Sequence, residues 1–123
     1  MDSDKLLNLA TELGCLLAES GAEISRVEES VYRLLRAYQG EDAQVFAIPS
    51  CLIVSLKAED GRPTTRMRRI GAHGTDIELL EACNALCRRL CRTVPPLDEA
   101  RELVKRLPAA CRRRFRHPAA GRD

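Results

Sequence analysis

The chain has no tryptophan, and aromatic residues make up only 3% of its 123 residues. A core of this size must therefore be built from Leu, Ile, Val, Ala and Cys, and the length leaves room for one modest core and not a second. No run of about 18 apolar residues occurs, so the segment as it stands does not cross a bilayer and cannot form a transport path by itself. The N-terminus is acidic and its apolar residues are interrupted by polar ones, which is not the pattern of a secretion signal. There is no nucleophile elbow, no glycine-rich phosphate loop, no CxxC pair and no histidine cluster, so the usual catalytic and zinc signatures are missing. No internal repeat and no low-complexity segment appears.

Six cysteines are present without a secretion signal, which points to a reducing compartment and not to a disulfide scaffold. Cys83, Cys87 and Cys91 recur every four residues and fall within one arc of a helix together with Leu79, Leu86 and Leu90. Glu81, Arg88, Arg89 and Arg92 fill the other side. Buried free cysteine packs as a small hydrophobe, so these three, with Cys15 and Cys51, read as core, and no metal or cofactor is expected. Cys111 lies among arginines that favour its thiolate.

The formal net charge of +2 conceals an asymmetry. Residues 109–123 carry five arginines against one aspartate, a charge of +4, which leaves −2 for the rest. The expected organisation is a folded domain over 1–108 and a basic, disordered tail over 109–123. Cytoplasmic juxtamembrane segments are basic in this way, and four arginines in Arg112–Arg116 could hold the chain to anionic lipid. Nucleic acid is not expected as a partner, because the tail has a single aromatic, Phe115, and the folded part is acidic. Plain solvated disorder is the other reading.

The stretch Ser20–Tyr38 organises the chain. Ser20-Gly21 closes a first helix, capped by Asp2 or Ser3, whose Leu6, Leu9, Ala10, Leu13, Leu16 and Leu17 line one face. A second helix presents Ile24, Val27, Val31, Leu34, Leu35 and Tyr38 as one stripe. Ser25 and Glu28 fit a capping box, although Ala22 or Glu23 could equally start the helix. Glu23 falls near the stripe, with Arg26 and Glu28 on its two flanks. Glu23 either serves the helix's first turn or meets a buried arginine or a ligand.

After Gly40 the period changes. Val45–Ile48 and Cys51–Leu56 have strand composition, and Pro49 marks an edge, a bulge or the break between them. Glu59-Asp60-Gly61-Arg62 is a hairpin turn. The returning strand, Thr64–Ile70, places Thr65, Met67 and Arg69 on one side and Thr64, Arg66, Arg68 and Ile70 on the other, with a heavily basic outer face. Thr75 with Glu78 caps a third helix to about Arg92, and Val94-Pro95-Pro96 separates it from a last helix over Leu97–Leu107. The fold class is α+β: two N-terminal helices, a two- to three-stranded antiparallel meander, and two C-terminal helices, packed on one face of the sheet.

The strings GCLLAESGAEISRVEESVYRLLRAYQG, VFAIPSCLIVSL, RPTTRMRRI, GTDIELLEACNALCR and LDEARELVKRL, in that order over about Leu6–Leu107, resemble the soluble N-terminal domain of the threonine/serine exporter family. The most specific matches are Ser20, Gly21, Ala22, Glu23, Arg26, Val27 and Glu28, then Thr65, Arg66 and Arg69, then Asp76 and Asn84. In that family the domain precedes a transmembrane bundle that exports threonine or serine or, in a two-subunit branch, a dicarboxylate. The resemblance implies a cytoplasmic module, peripheral at the inner face of the membrane. It would regulate, gate or assemble a membrane-embedded exporter subunit or a missing transmembrane half, and a homo-oligomer is possible. Here the tail stands where the first spanning helix would begin, so the expectation is a stand-alone partner or a truncated product.

The implied ligand-binding or functional cluster is Glu23, Arg26, Glu28, Arg66, Arg69, Asp76 and Asn84. If Glu23 and Arg26 face Arg66 or Arg69, the group could recognise a zwitterion or a dicarboxylate, or could be an internal ion-pair network. An independent small-molecule sensor is the alternative. A cryptic hydrolase assembled from Ser25, Glu23 and His73 is a third reading, and no enzyme is expected.

Overall fold

A computed structural model describes residues 2–107. The element order is α1 (Ser3–Ser20), α2 (Ile24–Ala37), β1 (Glu41–Ile48), β2 (Cys51–Lys57), β3 (Pro63–Arg69), α3 (Ile77–Thr93) and α4 (Leu97–Lys105). The three strands form an antiparallel meander in the order β1-β2-β3. The class is α+β, as the periodicities imply. The expected tail, with Cys111 and the Arg112–Arg116 run, lies outside the described residues.

Helix α1 is the centre of the molecule. Thirteen of its eighteen residues are buried, because it packs on β2 and β3 on one side and on α2, α3 and α4 elsewhere. Helix α2 lies beside it against β1, and α3 and α4 rest on the helices. Leu6, Leu7, Leu13 and Leu17 of α1 are sealed with Leu34, Leu35, Leu52, Leu56, Leu79 and Leu90. Each such side chain contributes about 1.5–3 kcal/mol by leaving water. Of the three buried hydroxyls of α1, that of Ser3 donates to Glu59 Oε1 at 2.9 Å, while the two further along donate to carbonyls of their own helix, Thr11 Oγ1 to Leu7 at 2.9 Å and Ser20 Oγ to Leu16 at 2.7 Å. These last two are thereby satisfied without a partner from outside.

The start of α1 is as the sequence implies, whereas those of α2 and α3 differ in their capping side chains. Asp2 caps α1, its Oδ1 accepting from the Lys5 amide at 3.1 Å. The N-cap of α2 is Glu23, and the expected Ser25–Glu28 capping box is not formed, because Glu28 is engaged elsewhere. For α3 the cap is Asp76 and not Thr75: Asp76 Oδ1 accepts from the Leu79 amide at 3.1 Å. Carboxylate caps outrank threonine, and here the aspartate is buried as well.

Strand register decides what each sheet face carries. Val45, Val54 and Arg66 form one cross-strand row, and Ala47, Leu52 and Arg68 the next. Both rows lie on the helix side, where Val54 and Leu52 are fully buried. The arginine-bearing side of β3 is therefore the inner side and not the outer one. Since β3 is an edge strand beside α1, its long side chains run out past the helix toward water. The opposite face bears Phe46, Ile53 and Met67 in one row and Ile48, Cys51 and Arg69 in another, and among the described residues no helix covers it. Pro49 sits in the turn between β1 and β2, and a bulge with Asp42 at φ +53° offsets the start of β1.

Gly14 is where α1 crosses its neighbours. A Cβ there would stand 2.6 Å from Leu52 Cδ2 and 2.8 Å from Val31 Cγ2. Gly14→Ala raises helix propensity yet is expected to destabilise the protein by about 1–3 kcal/mol through overpacking, read from the denaturant midpoint. Unchanged or increased stability would contradict the close approach.

Candidate functional site

The site is built by a junction at the end of α1. Gly21, at φ +122°, returns its amide to the Ala18 carbonyl and turns the chain into α2. The Asp76 amide donates to the Ser20 carbonyl at 3.0 Å, so α3 starts beside the same turn. A side chain at Gly21 would lie 3.2 Å from the Gly74 carbonyl oxygen, which keeps the two segments close. Helices α2 and α3 thus leave from one end and run side by side in the same direction. The Cys87 thiol, which donates to the Ser30 carbonyl at 3.7 Å, fixes their spacing.

Between them lies a groove of about 350 Å³ lined by Arg26, Glu29, Ser30 and Arg33 from α2 and by Asn84, Cys87, Arg88, Cys91 and Arg92 from α3. Four guanidiniums face one carboxylate. That carboxylate, Glu29, is held by Arg33 at 2.7 Å in an i, i+4 pair on the exposed helix surface. Among the described residues no ion pair engages Arg26, Arg88 or Arg92. The thiols form the floor. Burial pushes Cys87 up to about 12 and raises Cys91 as well, so both stay protonated and uncharged near neutral pH.

The seven sequence candidates do not gather at one place. Arg26 and Asn84 share the groove. Glu28 lies on the opposite flank of α2, where its Oε2 accepts from the Ala47 amide at 2.8 Å and occupies an otherwise open hydrogen-bonding position of edge strand β1. Arg66 reaches α1 instead, donating to Asn8 Oδ1 at 2.6 Å and standing 3.8 Å from Asp4. Arg69 is on the uncovered sheet face, Asp76 caps α3, and Glu23 is an exposed N-cap whose carboxylate caps nothing. No hydrogen bond or ion pair joins Glu23 or Arg26 to Arg66 or Arg69, because α1 stands between the second helix and the third strand.

The groups suggested for a hydrolase are also apart. His73 Nε2 rests on the Pro49 carbonyl oxygen, and Ser25 lines a shallow cleft with Glu28, Glu29 and Tyr32. Among the described residues no group of three His, Cys, Asp or Glu side chains could hold a metal. Cys15, Cys83 and Cys87 are buried, whereas Cys91 is half-buried at the groove and Cys51 half-buried on the uncovered sheet face, so these last two are not core residues in the full sense. Arg33, Arg88 and Arg92 were not among the candidates. Their spacing carried the signal: Arg26 and Arg33 are seven apart on α2, Arg88 and Arg92 four apart on α3, so each pair shares a helix face.

The fold and groove define a small α+β domain of helices on a three-stranded meander with a cationic cleft. The sequence model of the threonine/serine exporter family, ThrE, matches residues 8–119. The chain belongs to that family, a family of transporters. No curated protein and no solved structure gave a significant match. Among the described residues no helix is long and apolar enough to cross a membrane.

The buried thiols predict a pH dependence. Burial lifts Cys15 from 9.0 to about 11 and Cys87 from 9.0 to about 12. Their folded-state values lie above the unfolded ones, so the neutral thiols' contribution is complete below pH 9 and is lost as pH rises toward 11 and 12. Each thiol adds a slope of up to about 1.4 kcal/mol per pH unit in that window. Under reducing conditions the denaturant stability should fall between pH 9 and 10.5, and less steeply in Cys15→Ala/Cys87→Ala. Equal slopes in both proteins would refute this burial effect.

Proposed function

We propose that this chain is the cytoplasmic domain of a threonine/serine exporter and acts as an assembly and gating module for the membrane-embedded part, without itself forming the path. The observation that carries the reading is the face of the sheet that none of the described helices covers. Phe46, Ile53 and Met67 stand in register across all three strands, with Phe46 55% and Met67 60% exposed. Ile48, at 40%, extends the patch beside Cys51. Gln44, Ser55 and Thr65 border it on one side and Arg69 on the other. An apolar centre with a polar rim is the anatomy of a protein–protein interface. Membership of an exporter family supports the reading that the partner is a membrane-embedded exporter subunit and the exported solute threonine or serine. The cationic groove favours a second role for the same domain, the sensing of a small molecule.

Replacing exposed apolar side chains alters a partner surface and leaves the core intact. Phe46→Gln/Met67→Gln should keep the melting temperature within about 2 °C of the original, since surface changes of this kind are worth little in stability. The native chain should sediment with its host's membrane fraction in high salt, and the double variant should not. Failure of the native chain to sediment, or equal sedimentation of both, would contradict the docking face.

A further inference from the structure

We infer that the groove between α2 and α3 is a binding site for a small polyvalent oxyanion, a phosphate ester or a polycarboxylate. This stands apart from the docking reading of the sheet face. Arg26 and Arg33 line one wall, Arg88 and Arg92 the other, and Glu29 is the single carboxylate among the described lining residues, which together carry a net charge of +3. Since Glu29 is already held by Arg33 at 2.7 Å, Arg26, Arg88 and Arg92 face the cleft with no ion-pair partner among the described residues.

The arrangement selects its ligand by charge. A zwitterion such as threonine brings an ammonium group that needs a carboxylate, and the only one among the described lining residues, Glu29, is occupied. A monovalent anion leaves two guanidiniums without a counter-charge. An anion of two or more charges satisfies several planar forks at once, in the bidentate geometry that carboxylate and phosphate share. Asn84, on the same wall as Arg88, adds an amide that can donate to a further oxygen or accept a ligand hydroxyl. The uncharged thiol floor admits the organic part of such a molecule. A cleft of about 350 Å³ is at the small end of ligand sites. Among the described residues no aromatic ring lines it, so they offer no surface on which a nucleobase could stack.

Without a ligand the same charges oppose one another. Arg88 and Arg92 are like charges four residues apart on α3, an unfavourable spacing on a helix. Neutralising either one should leave the unliganded protein at least as stable as before while weakening anion binding. A purely structural arginine would show the opposite.

The test measures melting temperature in low-salt buffer with inorganic pyrophosphate, citrate or threonine, using sodium chloride to match ionic strength. Pyrophosphate or citrate should give a saturable rise of about 5 °C or more, and threonine none. Arg26→Gln and Arg88→Gln should each weaken binding at least roughly tenfold. Arg88→Gln should melt no lower than the native chain when no anion is present, and Arg92→Gln serves as the second variant if Arg88→Gln fails to fold. A lipid headgroup could supply the same phosphate chemistry. Binding to vesicles containing phosphatidic acid, whose phosphomonoester headgroup can carry two charges, abolished by Arg26→Gln or Arg88→Gln, in a protein that ignores both soluble anions would place the anion in the bilayer and keep the site. Absence of both effects overturns the inference. So do equal shifts in the native chain and the groove variants, vesicle binding that survives them, or an equal response to threonine.

Discussion

The burial of α1 on nearly all sides is the constraint on which the other elements depend. A helix that meets a sheet on one side and three helices elsewhere can present few charges, and its eighteen residues keep polar groups mainly at the ends and along one narrow exposed strip. Close packing forces a glycine at the crossing with Val31 and Leu52. It also requires a clean exit, which Gly21 supplies with a backbone angle that other residues rarely adopt. From that exit α2 departs, and against it α3 is pinned by the Asp76 amide on the Ser20 carbonyl. One helix end thus sets the relative placement of three helices, and the groove is the space that placement leaves.

This explains why polar residues that look like one site are spread over the molecule. Asp76 and Glu28 each satisfy backbone amides that would otherwise lack partners, one at the start of a helix and one along an edge strand. Groups of this kind are costly to remove and chemically quiet, because leaving a buried donor unpaired destabilises the fold by about 1–3 kcal/mol. Arg26, Arg88 and Arg92 are the reverse case, charged groups that no ion pair engages among the described residues. A fold keeps such a set of like charges together more readily when something outside neutralises it.

Much of the architecture was legible in the sequence because it depends on local period. The apolar stripes of α1 and α2 are nearly all buried where the spacing placed them, and Pro49 breaks two strands as its missing N–H requires. Faces that depend on tertiary context were harder to read. Alternation separated Arg66 and Arg68 from Met67 correctly, but it could not say which side faced the helices; Ile70 and the register with Leu52 and Val54 settle that. At the start of α3 the capping-box pattern pointed to Thr75, whereas the buried Asp76 beside it holds the cap. The groove was the least legible feature. Its arginines come from two helices more than fifty residues apart, and only their parallel departure from one junction brings them face to face.

Two surfaces then carry the functional weight of the account: an apolar sheet face suited to a membrane-embedded partner and a cationic groove suited to an anion. The central claim is that the domain works in export. Its most direct measurement is the appearance of threonine and serine outside host cells fed a peptide containing both, with this chain deleted and then restored. The account predicts that efflux falls on deletion and returns with the native chain. Efflux that is unchanged by deletion, with the native chain folded and expressed, would contradict it.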